Sequence, residues 1–136
     1  MFINRVKRRI IIFFSFILLV NLTLIQQGIS GISYYVDDND NTGDVWTAGF
    51  FGNDSSDGKS ATTPKLTITN LLSTYSITNG DIVYVDTGTY NEKVVIGTND
   101  DGGTGNSPVI FQGAGNDRTI IEGGAGARYS CLELQS

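Results

Sequence analysis

The residues best equipped for chemistry sit in one acidic run, "DDNDNTGD", Asp37 to Asp44. Asp38, Asp40 and Asp44, with Asn and Thr oxygens between them, offer the hard oxygen ligands that Ca2+ takes. Asp38-x-Asp40-x-Thr42-Gly43 begins like an EF-hand loop, but position twelve is Gly49 where that loop places a bidentate Glu. Two readings stay open for the run, a Ca2+ site and a solvated turn. A second acidic stretch, "GTNDDGGTGNS" from Gly97 to Ser107, puts Asp100 and Asp101 on a corner loop suited to lining a saccharide cleft or simply to being solvated. Among the aromatics, Trp46 and Tyr84 are the candidates for stacking on sugar rings, with packing against a helix or loop as the alternative. Asp54 and Asp57, in "GNDSSDGKS", suit a local role, because Asp in a turn bonds its own backbone.

Other chemistries are excluded by what the chain lacks. It contains no His, so a His-based triad or His metal ligand cannot be built from it. Cys131 is its only cysteine, so no internal disulfide can form. The glycine-rich loops do not lead from a strand into a helix, which removes a phosphate cradle. Lys93, Arg118 and Arg128 are the basic residues of the C-terminal half, and no catalytic residue is assigned.

The elements that position these residues begin after residue 30. Arg5, Lys7, Arg8 and Arg9 precede an apolar run from Ile10 to Val20, and Gly28-Ile29-Ser30 supplies small residues at a cleavage site. That is the layout of a secretory signal peptide, 1–30. The run falls short of the ~20 apolar residues that span a bilayer, so no membrane span is expected after cleavage. The remaining chain carries five basic and fourteen acidic residues, a net charge of −9. Such a chain repels phosphate backbones, so nucleic acid is not an expected partner.

The reading divides the rest into an N-terminal strand and Asp/Gly-rich loop (31–62), a cap helix and linker (63–79) and a strand region (80–136). Ser33 to Asp37 reads as a strand. Thr63 as N-cap and Pro64 at the first turn start a helix running to about Tyr75, with Ile68, Leu71, Leu72 and Tyr75 on one face. Five short runs follow: Ile82–Val85, Val94–Ile96, Val109–Gln112, Thr119–Glu122 and Cys131–Leu134. Ile82 to Val109 is 27 residues, Val94 to Ile120 is 26 and Val109 to Cys131 is 22. A period in the twenties with short strands predicts an all-β solenoid of about two parallel stacked coils, with Gly and Asn at the corners.

"YYVDDNDNTGD…GNDSSDGKSATTPK", then the helix, "GDIVYVDTGTYNEKVVI" and "SPVIFQGAGNDRTIIEGG" together resemble the start of right-handed parallel β-helix (solenoid) proteins of the pectate-lyase-like superfamily. The resemblance covers about Ser33 to Gly124 and is strongest for secreted surface proteins of Bacteroidetes-type bacteria. It implies that the Pro64–Tyr75 helix caps the stack. It also implies that any lyase site, built from acidic Ca2+ ligands and a Lys or Arg, would lie on central coils. Two coils are few for a repeat array, so a longer parent protein is expected, with a small protein that stacks edge to edge as the rival. The expected function is a secreted or cell-surface bacterial module that binds a polysaccharide or surface glycan, or mediates adhesion, with Ca2+ as the cofactor to test. The alternatives are a polysaccharide lyase or glycoside hydrolase with its site further along, and a structural stalk.

Overall fold

The computed structural model describes residues 31–100, 107–123 and 132–134. Segment 1–30, where the sequence leads one to expect a signal peptide, lies outside the described residues, as do Asp101, Arg128 and Cys131. Among the described residues no helix is long and apolar enough to cross a membrane.

The strands are short because turn formers interrupt every apolar run. In order they are β1 (Ser33–Val36), helix α1 (Ile68–Thr74), β2 (Ile82–Val85), β3 (Gly88–Asn91), β4 (Val94–Ile96), β5 (Ile110–Gly113), β6 (Thr119–Glu122) and β7 (Leu132–Leu134). They pair in parallel as three small sheets, β1-β2-β5, β3-β6 and β4-β7. Period-2 alternation sets the inner face: Tyr34 and Val36 of β1 and Val83 and Val85 of β2 are buried, while Tyr35, Ile82 and Tyr84 stay half-buried on the other side. Ile68, Leu71, Ile77, Tyr90 and Val94 complete the core.

The all-β solenoid expected from the sequence is corrected by this arrangement. The described residues form a small mixed α/β fold of separate parallel sheets and one helix, with no closed sheet and no stack of equivalent coils among them. The spacing of partners gives the physical reason. Ser33 to Ile82 spans 49 residues, Ile82 to Ile110 spans 28, Gly88 to Thr119 spans 31 and Val94 to Leu132 spans 38. Stacked coils share one repeat length, and these pairs do not. Val94 pairs with Leu132 and not with Ile120, which instead faces Thr89 of β3, a strand not among the runs expected from the sequence.

The helix starts four residues later than expected. Pro64 and Lys65 are extended and seal the outer edge of β1: Lys65 N–H donates to Tyr35 O (2.9 Å) and Asp37 N–H to Lys65 O (2.9 Å). Thr67, not Thr63, is the N-cap, and its hydroxyl accepts from Asn70 N–H (3.1 Å). The Glu92 carboxylate reaches across to accept from Ile68 N–H (2.9 Å) and Thr69 N–H (2.7 Å), placing a negative charge at the positive end of the helix. Ile68 and Leu71 are fully buried, each worth roughly 1.5–3 kcal/mol by transfer. Asp54 and Asp57 hold backbone locally, Asp54 accepting from Leu66 and Thr67 and Asp57 from Lys59 and the Thr63 hydroxyl. Gly52 is required where the loop crosses β1, since a Cβ there would collide with the Asp37 carbonyl and Leu66 Cα.

Candidate metal centre and aromatic surface

The tripeptide Tyr-Val-Asp occurs twice, at 35–37 and at 84–86. Parallel register sets Tyr35 beside Tyr84 and Val36 beside Val85, so Asp37 and Asp86 each leave the end of neighbouring strands at adjacent positions. Like charges placed side by side on a sheet repel. The loop that follows β1 folds over both and adds Asp44. One carboxylate oxygen from each of Asp37, Asp44 and Asp86 lies within 4.8 Å of those of the other two.

The three carboxylates are held in different ways. Asp86 is fully buried and saturated: Oδ1 accepts from Val45 N–H (2.8 Å) and Thr87 N–H (2.7 Å). Its Oδ2 accepts from Trp46 N–H (2.7 Å), Thr47 N–H (2.8 Å) and the Thr47 hydroxyl (2.8 Å). Burial pushes the Asp86 carboxyl up, but these donors outweigh it and hold it below its ordinary value. Asp37 is equally buried, yet neither of its oxygens has a hydrogen-bond partner, and the same is true of both Asp44 oxygens and of Asn41 Oδ1. Burial, then the charge of Asp44, pushes the Asp37 carboxyl up to about 7. The Thr47 hydroxyl acts in the opposite direction, although its hydrogen bond goes to Asp86. Asp44 is raised as well, by burial and then by Asp86, Asp38 and Asp40. Buried Tyr90 lies close by; its hydroxyl donates to Asp86 O (3.2 Å), and burial followed by the Asp37 charge pushes its pKa up, so the phenol resists ionisation.

Of the metal ligands expected from the sequence, only Asp44 enters this cluster. Asp38 Oδ1 accepts from Asp40 N–H (2.8 Å), and Asp40 Oδ1 accepts from Thr42 N–H (2.9 Å) and the Thr42 hydroxyl (2.6 Å). Both therefore build the turn that aims Asp44 inward. Asp40, in the open, is held below the ordinary carboxylate range by the Thr42 hydroxyl. Asp37 and Asp86 were absent from the expected ligands, and the repeated Tyr-Val-Asp was the signal that would have found them.

The expected saccharide contacts divide similarly. Trp46 and Tyr84 meet: Trp46 packs on Tyr84 (ring centroids 5.0 Å, 51°), and Tyr84 stacks on Tyr35 (5.3 Å, 21°). All three are half-buried on the outer face of the β1-β2-β5 sheet, where Gln112 continues the row. Asp100 is buried away from that face and accepts from Ile77 N–H (3.1 Å), a loop-holding role. Asp101 lies outside the described residues.

No family model matches the chain, and no characterised protein or solved structure matches it either.

Proposed function

We propose that this chain is an exported saccharide-binding module whose contact surface is the aromatic row Tyr35, Tyr84 and Trp46. The supporting observation is the row itself. Outer positions of a half-buried sheet are ordinarily polar, yet here two neighbouring strands place Tyr at the same register and a loop adds Trp beside them. A pyranose ring has an apolar C–H face that stacks on such rings, while its hydroxyls reach flanking groups such as Gln112. The basic, apolar, small-residue order of segment 1–30 supports export. The test is affinity electrophoresis of the full chain through gels containing alginate, pectin, chondroitin or a neutral glucan. Retardation in at least one, lost in Tyr84→Ala and Trp46→Ala, is the expected result. Uniform migration in all four, or equal retardation of the variants, refutes the reading and leaves the rings as sheet packing.

A further inference from the structure

We infer that Asp37 and Asp44, beside Asp86, bind one Ca2+ ion that fastens the 37–47 loop to the ends of β1 and β2. This inference stands on the carboxylates and is independent of the saccharide reading. Ligands at about 2.3–2.6 Å from a Ca2+ stand no more than about 5 Å apart. The three carboxylate oxygens, mutually within 4.8 Å, meet that limit.

An acidic cluster alone would not suffice, and the second observation is one of missing partners. Asp37 is 0% exposed, and both of its oxygens lack a donor. Both Asp44 oxygens and the Asn41 amide oxygen are buried and unpartnered too. Five acceptors without a donor constitute a hole in the polar bonding of a buried region, where unpaired groups are ordinarily few. A cation fills it. The roles divide accordingly. Asp37 and Asp44 have free lone pairs and are the ligands. Asp86 already accepts five hydrogen bonds, so it adds charge and orients the loop, as outer-shell carboxylates do. The donor set is entirely hard oxygen, and most of it comes from one irregular loop. That flexibility suits Ca2+ better than Mg2+, which demands near-octahedral order and sheds water reluctantly.

The experiment uses the full chain, stripped with EDTA and titrated with CaCl2 by calorimetry, with MgCl2 in a parallel arm. Tb3+ emission excited through Trp46, the only tryptophan, is the spectroscopic readout. One Ca2+ per chain, sensitised Tb3+ emission displaced by Ca2+, and an affinity lowered at least about tenfold in Asp44→Asn are expected. Asp37→Asn, which removes a buried charge and therefore folds, loses the Ca2+ response while raising the melting temperature of the metal-free chain. Absence of heat and of Tb3+ emission at millimolar metal overturns the inference, as does binding by both variants equal to that of the parent chain. A parent chain indifferent to Ca2+ whose Asp37→Asn variant is stabilised also overturns it, because a proton then relieves the cluster.

Discussion

Removing the Asp86 carboxylate is the sharpest perturbation of the loop that forms the site. In Asp86→Ala, four backbone N–H groups and one hydroxyl lose their acceptor. They are not equally costly. Thr47 is 1% exposed, so its N–H and hydroxyl stay unsatisfied at about 1–3 kcal/mol each. The N–H groups of Val45, Trp46 and Thr87 are only partly buried, so water recovers most of their loss. Against this, deleting one of three clustered negative charges relieves Asp37 and Asp44. The balance is a loss of about 3 kcal/mol in EDTA, a large share of the roughly 5–15 kcal/mol typical of a domain. With a urea slope of about 1–3 kcal/mol per molar, the unfolding midpoint falls by roughly 1–3 M. Trp46 emission follows the loop, and far-ultraviolet circular dichroism follows the strands. Asp86→Asn keeps an acceptor for one set of donors and turns an amide towards the other, so it falls between the parent and Ala. A change under about 1 kcal/mol in Asp86→Ala, with Trp46 emission unaltered, refutes the idea that this carboxylate organises the loop.

Two further outcomes are expected. Glu92→Ala strips the first turn of α1 of its acceptor for Ile68 and Thr69, so it costs about 1 kcal/mol in urea unfolding; an unchanged midpoint shows that Thr67 caps the helix alone. In EDTA, stability declines as pH rises from about 4 to about 7, because folded Asp37 keeps a proton that the unfolded chain has already released, and Asp44 shifts in the same direction. Asp86, Asp40 and Asp57 are lowered, so their contribution is lost only below the ordinary carboxylate range. The measurement is the melting temperature in EDTA between about pH 5 and 7.5; a steady climb with pH, or the same slope in Asp37→Asn, contradicts this assignment.

The short strands were legible because β-branched runs flanked by Gly, Asn and Asp leave little else, and six of the seven lie within a residue of their expected bounds. Pairing was less legible. Parallel partners are chosen by register and by the path of intervening loops, and a period read from three spacings assigned Val94 to Ile120 where the chain assigns it to Leu132. Thr63-Pro64 is a sound helix-start signal in isolation, but the bridge between Val36 and Lys65 claims that backbone for the edge of β1. At the site, counting acidic residues along one loop found Asp44 and missed the partners that other segments bring. Asp38 and Asp40 satisfied the spacing of a metal loop, yet Oδ1 of each is turned to the N–H two residues on.

The aromatic row and the carboxylate cluster are one consequence of the repeated Tyr-Val-Asp. Alternation sends Tyr outward and Val inward, and the Asp that follows leaves the strand on the tyrosine's side. Covering two adjacent Asp residues then demands donors, and the 45–47 backbone supplies them to Asp86 alone. The same three residues include Trp46, so the Asp86 carboxylate also holds the backbone that carries the ring lying on Tyr84. Burying a charge without a partner is among the costliest arrangements a chain can hold. Asp37 holds that arrangement at the end of the strand that carries Tyr35, while Asp86, satisfied by the 45–47 backbone, sits at the matching end of the strand that carries Tyr84.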